Sequence, residues 1–339
     1  MAGFLVLGLL VAFVIFFFWA SGGDSNDALV APGDIVENAR GMAPPVDPRT
    51  LTVLTFNIGY ARGPEGDNAG PWDESVFTTN LEQIARQASD AQADVVFLQE
   101  VDLAAARSHD IDESRVLLDK LGWRYATCVT TWEKNYVPFP YWPPSKHYGR
   151  MKSGQCVLSK FAITQSTRYR MPKPEANPWW RNKFYLDRAI DHVKLQLGPD
   201  EWDLFNVHLE AFDVPNRMEH ARFLVDLVNK QGHTDRVVVA GDFNSLPVAA
   251  AQKKGFIDEP QADFSADTTQ DIVAQGLPNL HEVIPDLGVF TFPADAPTRR
   301  LDYIWYGPSL TLEDAHVIAA PPGPWSDHLP VVARFGIVR

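Results

Sequence analysis

Residues 51–58 read LTVLTFNI, an apolar and β-branched run that predicts a buried strand, with Asn57 near its end. The same kind of run recurs in five later segments, namely ADVVFLQEV at 93–101, DLFNVHLE at 203–210, RVVVAGDFN at 236–244, LDYIWYG at 301–307 and LPVVARFGI at 329–337. Helical spacing of apolar residues is found in two segments, 76–91 and 217–230. Many strands with two clear helices predict an α+β layered sandwich rather than a doubly wound parallel sheet.

Polar side chains stand at the ends of these strands. The set consists of Asn57, Glu100, His208, Asp242, Asn244, Asp302, Asp327 and His328. If the strand ends converge, the carboxylates share one cleft, where they repel one another unless a cation is present. Oxygen ligands with few His and no Cys suit Mg²⁺ or Mn²⁺ rather than Zn²⁺. Each residue alone also suits a turn, so the whole set carries the prediction of metal-dependent phosphoester hydrolysis.

The motif order is informative beyond the single motifs. The series TFNI, FLQEV, NVHLE, GDFN, LDYIW and SDHLPV resembles the endonuclease/exonuclease/phosphatase superfamily across about residues 50–339. That superfamily includes pancreatic-type deoxyribonucleases, abasic-site endonucleases, inositol-polyphosphate phosphatases and neutral sphingomyelinases. The resemblance implies a four-layer α/β sandwich, in which two packed mixed β-sheets are flanked by helices.

The resemblance also implies a metal site. Asn57, Glu100 and Asp327 would hold a divalent cation, Mg²⁺ with Mn²⁺ as an alternative. The segment GQCV at 154–157 departs from the pattern of the superfamily, because Gln155 stands where Asn is usual. This departure puts a role for that side chain in doubt.

Catalytic roles follow from the same resemblance. His208 would stabilise charge on the scissile phosphate, and Asp242 would position or deprotonate the attacking water, with Asn244 orienting water or phosphate. Asp302 would orient the imidazole of His328, which would act as general base or as phosphate ligand. The sequence leaves open which group is the base.

The N-terminus carries an apolar segment, FLVLGLLVAFVIFFFWA at 4–20, without a charged side chain. At 1.5 Å per residue it would span about 26 Å, close to the thickness of a hydrocarbon core. A cleaved signal peptide is the alternative, but the first Lys or Arg is Arg40, so its basic leader is missing. We expect an uncleaved anchor, and four acidic residues after it favour export of the C-terminal part, namely Asp24, Asp27, Asp34 and Glu37.

The sequence thus divides into three parts. We expect a transmembrane anchor or signal segment at 1–23, a linker rich in Gly, Pro and Asp at 24–49, and a catalytic domain at 50–339. The linker would let the domain reach back to the same membrane.

Composition excludes several classes of protein. Of 339 residues, 45% are hydrophobic, which rules out disorder along the whole chain. The net charge of −13 argues against a basic coat protein for nucleic acid. Cys128 and Cys156 are too few for a disulfide scaffold or a four-Cys zinc site, and are either buried thiols or one bridge.

Charge is uneven along the chain. Residues 131–185 hold ten bases, two acids and twelve aromatic residues. Two loop-like stretches within this range, 135–150 and 172–185, are rich in Pro and aromatic residues. Such loops would lie at a membrane interface, hold single-stranded nucleic acid, or pack on the sandwich with a solvated basic rim. We take Arg150, Trp179, Trp180 and Arg181 as candidate substrate contacts.

These observations favour a membrane-anchored, Mg²⁺-dependent phosphodiesterase that cleaves a phospholipid or sphingolipid headgroup ester. A membrane-tethered nuclease is the second choice, and an inositol-phosphate phosphatase the third. An inactive lipid-binding module is the alternative from another class. We expect a monomer without a protein partner, with its catalytic domain on the exported side.

Overall fold

The computed structural model describes residues 2–23, 28–64, 70–231, 235–319 and 323–338. Asp24 and Asp27, which bear on the predicted orientation, lie outside the described residues. The helices are α1 (Ala2–Ser21), α2 (Glu74–Asp90), α3 (Glu113–Leu121), α4 (Trp179–Asn182), α5 (Val214–Gln231) and α6 (Thr269–Gly276). The strands are β1 (Val30–Pro32), β2 (Asp34–Glu37), β3 (Thr50–Asn57), β4 (Val95–Asp102), β5 (Tyr125–Val137), β6 (Gly149–Ser159), β7 (Ala162–Arg170), β8 (Ala189–Leu197), β9 (Asp200–His208), β10 (Val237–Asp242), β11 (His281–Glu282), β12 (Asp302–Tyr306), β13 (Leu310–Val317) and β14 (Val331–Ile337).

The strands form two mixed sheets of seven strands each. Sheet I has the order β13-β14-β3-β4-β6-β5-β2, and sheet II has the order β1-β7-β8-β9-β10-β12-β11. Each sheet holds one parallel pair, β3 with β4 and β9 with β10, among antiparallel neighbours. Parallel neighbours carry their carboxyl ends to the same edge, which is where the polar side chains of the motifs stand.

Four layers enclose three apolar clusters. Between the sheets, side chains such as Val53 and Phe97 of sheet I pack with Leu204 and Ile304 of sheet II. Helices α2 and α3 cover the outer face of sheet I, and α5 and α6 cover that of sheet II. The predicted sandwich of two packed mixed sheets flanked by helices is therefore confirmed.

The predicted linker differs from what the structure shows. Val30–Pro32 pairs with β7 at the edge of sheet II, and Asp34–Glu37 pairs with β5 at the edge of sheet I. Residues 30–37 are therefore not a free linker, because the exposed edge of each sheet offers backbone partners to an extended segment. The reach expected of a flexible chain of this length does not apply to them.

Helix α1 is long and apolar enough, by length and composition, to cross a membrane over Gly3–Ser21. Its C-terminal end packs on the domain: Asn135 of β5 donates through Nδ2 to the Trp19 carbonyl at 2.9 Å. The Phe17 ring contacts Trp179 of α4 at 5.8 Å between centroids and Phe184 at 5.4 Å. The apolar helix therefore meets the domain at the basic and aromatic loops.

Cys128 of β5 lies directly opposite Cys156 of β6, and the two form a disulfide. The sequence had left a bridge and two buried thiols as alternatives. Direct opposition across an antiparallel pair is what brings two residues 28 positions apart within bonding distance.

Asp191 of β8 is fully buried, where Ser166 donates a hydrogen bond to its Oδ1 at 2.8 Å and Oδ2 has no partner. Burial raises the pKa of this carboxyl to about 7, partly offset by the Ser166 hydrogen bond. The folded protein therefore keeps a proton that the unfolded chain loses near pH 4. The stability due to this group is complete below that pH and is lost as pH rises through 7.

Asp191→Asn removes the titration and retains the acceptor for Ser166. We expect the variant to match the parent protein below about pH 4 and to exceed its stability at pH 8 by about 2–4 kcal/mol. Thermal unfolding of the full chain in a mild non-ionic detergent, followed from about pH 3.5 to about pH 8, measures the difference. Parallel pH dependences of the two proteins would contradict the assignment.

Candidate active site

The strand ends converge at one end of the sandwich. Asn57 ends β3, His208 ends β9 and Asp242 ends β10, where Asp242 lies directly opposite His208. On its other side Asp242 lies opposite Asp302, the first residue of β12. One end of sheet II therefore brings an imidazole and two carboxylates together.

Glu100 reaches the same place through a bulge. The pairing of β4 with β6 shifts between Leu98 and Val101, and Glu100 has a φ of 53°. A bulge adds a residue to one strand and redirects the side chains that follow. Glu100 consequently stands within 3.4 Å of the Asn57 amide nitrogen and within 3.9 Å of His208 Nε2.

The segment before β14 is fixed on the end of β3. Ser326 donates a hydrogen bond to the Asn57 carbonyl at 2.7 Å, and its hydroxyl accepts from the His328 amide. Gly59, with a φ of 53°, approaches so closely that an added Cβ would lie 2.9 Å from Asp327 Oδ1. A side chain at position 59 would displace the Asp327 carboxylate.

Hydrogen bonds link the buried residues into one network. His328 Nδ1 bonds Asp302 at 2.9 Å, and its Nε2 lies 3.7 Å from Asp242 Oδ2. His208 Nε2 lies 3.5 Å from the same Asp242 oxygen, which also accepts from Asn57 Nδ2 at 3.0 Å. Asp242 thus stands between two imidazoles, one of which is held in orientation by a second carboxylate.

Burial and neighbouring charges separate the two histidines. Burial lowers the pKa of His208 well below its usual value, and the charges of Arg188 and His328 act in the same direction. Burial opposes the charged form of His328 as well, but Asp302 and Asp242 raise its pKa well above the usual value. Burial thus favours the neutral form of His208, whereas the two carboxylates favour the charged form of His328.

The carboxylates fit a divalent cation. Burial raises the pKa of Glu100, and the charge of Asp327 raises it further. Burial also raises the pKa of Asp242 to about 7, against the effect of His328. A hard cation bound by oxygen ligands relieves such crowding. Glu100 and Asp327 have the chemistry to hold it.

A second set of donors lies deeper. Asp242, Asp302 and His328 each offer an atom within 4.8 Å of the others. Because His328 Nδ1 is already bonded to Asp302, we assign this set to orientation of the imidazole. Asn57, predicted as a metal ligand, points its amide nitrogen at Glu100 and Asp242 while its oxygen accepts from the Gly59 amide. In this structure Asn57 acts as a hydrogen-bond donor to the carboxylates.

Asn244 follows Asp242 in a left-handed backbone conformation with a φ of 50°. Its backbone amide donates to Asp242 Oδ1 at 2.8 Å, and its Nδ2 donates to the Leu209 carbonyl at 3.1 Å. Asn244 therefore positions Asp242 while it lines the cleft.

The cleft above this network has a volume of about 540 Å³. Aromatic side chains make much of its wall, including Tyr60, Trp132, Phe139, Tyr148, Phe184 and Phe292. Arg62, Arg181 and Arg188 add positive charge. Aromatic walls and arginine side chains together suit the binding of a phosphoester.

The four predicted substrate contacts are placed differently. Arg181 lines the cleft, Trp179 lines an adjoining cavity beside the end of α1, and Trp180 is half exposed on α4. Arg150 does not line the cleft, because its guanidinium donates to the Ala104 carbonyl and pairs with Asp110. A substrate contact by Arg150 stays a prediction, and its guanidinium is paired with a carboxylate 40 positions away in the sequence.

Other residues of the cleft were missed. Tyr60, Arg62 and Arg188 stand in none of the motifs, and no periodicity of the sequence singles them out. Gln155 donates through Nε2 to the Asn206 carbonyl at 2.7 Å, so its amide nitrogen serves the packing of the two sheets.

Comparison with solved structures finds proteins of the same fold. An endonuclease/exonuclease/phosphatase from Beutenbergia cavernae DSM 12333 is 22% identical, with a TM-score of 0.58 over 86% of this chain and 72% of that one. The human Nocturnin catalytic domain, with a bound sulfate anion, is 20% identical, with a TM-score of 0.57 over 90% and 98%. A mannosyl-6-phosphatase from Bacteroides thetaiotaomicron VPI-5482 is 16% identical, with a TM-score of 0.56 over 84% and 99%. At these identities the likeness shows a shared fold.

No curated protein matches the chain in sequence. Residues 54–328, however, match the model of the Endonuclease/Exonuclease/phosphatase family. This range holds all the polar residues of the site, from Asn57 to His328. The chain belongs to the endonuclease/exonuclease/phosphatase family.

Proposed function

We propose that the protein is a membrane-tethered, Mg²⁺-dependent phosphodiesterase that hydrolyses the headgroup ester of a phospholipid or sphingolipid. Members of the family hydrolyse phosphoric esters, and the arrangement of Asp242, His328 and His208 suits that reaction. One observation carries the lipid assignment: Phe17 of α1 packs on Phe184, and Phe184 lines the cleft. An anchored α1 would hold the cleft at the bilayer surface.

The rim of the cleft supports contact with lipid. Tyr141 and Phe212 line the cleft and are 78% and 74% exposed, and Trp142 beside Tyr141 is 81% exposed. Trp179, next to the end of α1, is 65% exposed. Exposed aromatic side chains grouped around an opening are typical of a surface that enters the interfacial layer of a bilayer.

The basic loops are less suited to nucleic acid. Some of their cations are engaged within the protein, as Lys173 is with Asp187 and Arg150 with Asp110. Binding along a nucleic-acid backbone needs cations that are available to successive phosphates. For this reason we propose a lipid phosphodiesterase ahead of a nuclease.

The chemistry follows from the network. A bound divalent cation, held by Glu100 and Asp327, would neutralise charge on the phosphoryl oxygens. Asp242 accepts the proton of the attacking water, which forms the new P–O bond in line with the departing alcohol. Neutral His208 and cationic His328 donate hydrogen bonds to the phosphoryl oxygens as negative charge develops. The leaving oxygen takes its proton from solvent.

The metal site is tested by removing and restoring the ion. We expect EDTA to abolish activity and Mg²⁺ to restore it, and Glu100→Gln to raise the Mg²⁺ concentration for half-maximal activity about tenfold or more.

The imidazole is tested by substitution. His328→Ala should lower kcat by about 10²–10⁴ with an unchanged thermal melt. His316→Ala is the matched control, because His316 is exposed on β13 and pairs with Asp314. A fully active His328→Ala protein would refute the mechanism.

The substrate is decided by one panel of assays on the full chain in Mg²⁺. The panel contains sphingomyelin vesicles, glycerophospholipid vesicles, supercoiled plasmid and a soluble inositol phosphate. Headgroup release with intact plasmid is the expected result. Plasmid nicking without lipid turnover would instead assign a tethered nuclease, and free phosphate from the inositol phosphate a phosphatase. Lipid binding without any turnover would indicate an inactive module.

The interfacial loops give a further prediction. Replacing Trp179 and Trp180 together by Ala should lower activity on vesicles about tenfold or more and leave a soluble chromogenic diester nearly unaffected, because these rings would anchor the opening to lipid. Val338→Ala is the control, since Val338 has a similar exposure to Trp180 and lies near Asp200 at the opposite end of β9. Equal losses on both substrates would count against interfacial docking.

A further inference from the structure

Arg188 directly precedes β8, and its side chain lines the cleft. It is 6% exposed and lines the cleft together with Glu100, His208 and Asp242. It also lines a small polar cavity that continues from the floor of the cleft, between Glu100, His208 and Gln155. A permanently charged group therefore stands among the residues that act on the phosphoester.

The guanidinium has no hydrogen-bond or ion-pair partner among the described residues, and its charge acts on Glu100 only from beyond ion-pair distance. Its Nε makes no hydrogen bond, and the side chain forms no ion pair there. Each of the other buried arginines is bonded, as follows: Arg62 to Tyr148, Arg107 to Asp102, Arg168 to Thr130, Arg217 to Asp267, Arg299 to Asp258 and Arg300 to Glu282. Arg188 is the exception among the buried arginines that the structure describes.

A buried charge without a partner is destabilising, so its presence needs a compensating group. Asp187 and Glu100 line the same small cavity, but neither forms an ion pair with Arg188. Arg188 and His208 both line the cleft, whose rim includes the exposed Tyr141 and Phe212. An anion bound in the cleft could therefore pair with a guanidinium that has unsatisfied donors.

We propose that Arg188 is an anion clamp, which binds the non-bridging oxygens of the phosphoryl group that is hydrolysed. The planar fork of a guanidinium matches two phosphoryl oxygens, and its charge is fixed. The amide of Gln155, which lines the same small cavity, already donates to the Asn206 carbonyl. Arg188 therefore supplies the hydrogen-bond donors on this side of the phosphate. His208 supplies the donor beside it.

The clamp rests on the proposed phosphoesterase activity but not on a lipid substrate. The kinetic test therefore uses a soluble diester, bis(p-nitrophenyl) phosphate, with the full chain in detergent. Arg188→Met should lower kcat/KM about 10²–10³-fold, and Arg188→Lys should recover part of the loss as a point charge. Equal activity of Arg188→Met and the parent protein would overturn the proposal.

A second measurement needs no turnover. Inorganic phosphate, titrated by calorimetry, should bind Arg188→Met at least tenfold more weakly than the parent protein. Because the unpartnered charge is destabilising, the melting temperature of Arg188→Met without phosphate should stay level or rise. Arg168→Met is the matched control: Arg168 is also 6% exposed but donates to the Thr130 and Ala28 carbonyls.

The control should show the reverse behaviour, a lower melting temperature with unchanged affinity for phosphate. A fall in the melting temperature of Arg188→Met with unchanged phosphate affinity would make Arg188 a structural residue and refute the clamp. If vesicles are not hydrolysed while phosphate binding still depends on Arg188, the lipid assignment fails and the clamp stands.

Discussion

The side chain of Asn206 joins the two sheets directly beneath the active site. Its Nδ2 donates to the carbonyls of Leu98 and Cys156 in sheet I, at 3.1 and 3.0 Å, and its Oδ1 accepts from Gln99 at 2.7 Å. A buried polar network of this kind holds its geometry because any lost bond leaves a polar group unsatisfied. The distance between the ends of β4 and β9, and hence between Glu100 and His208, depends on it.

The hydrogen-bond network of Asn206 supports an arrangement of charged side chains that is unfavourable in itself. Glu100, Asp242 and Asp327 crowd their carboxylates at the strand ends, and Arg188 is buried without a partner. Each of these groups would be more stable in water, so the packed sandwich holds them in place. Charges held in position before substrate arrives need little rearrangement during the reaction, which is the basis of electrostatic catalysis. Stability and activity are opposed at this end of the molecule.

The N-terminal region packs on the domain and thereby limits the positions that α1 can take relative to it. Strands β1 and β2 bind one edge of each sheet, and α1 ends against β5 and α4. The cleft is consequently close to the end of the apolar helix. With α1 in a bilayer, the aromatic rim formed by Tyr141, Trp179 and their neighbours would face the lipid surface.

Local pattern alone determined six of the fourteen described strands, helices α2 and α5, the apolar N-terminal helix and the order of polar residues from Asn57 to His328, since periodicity and strand-end chemistry are properties of neighbouring residues. Only the tertiary structure decided which partner each long side chain takes: Asp110 binds Arg150, the Asn206 carbonyl binds Gln155, and Arg188 is left for the cleft. These contacts join residues far apart in the sequence, and so do the edge pairing of 30–37 and the disulfide. The type of a side chain determines which groups it can bind, but the fold determines which of those groups lie within its reach.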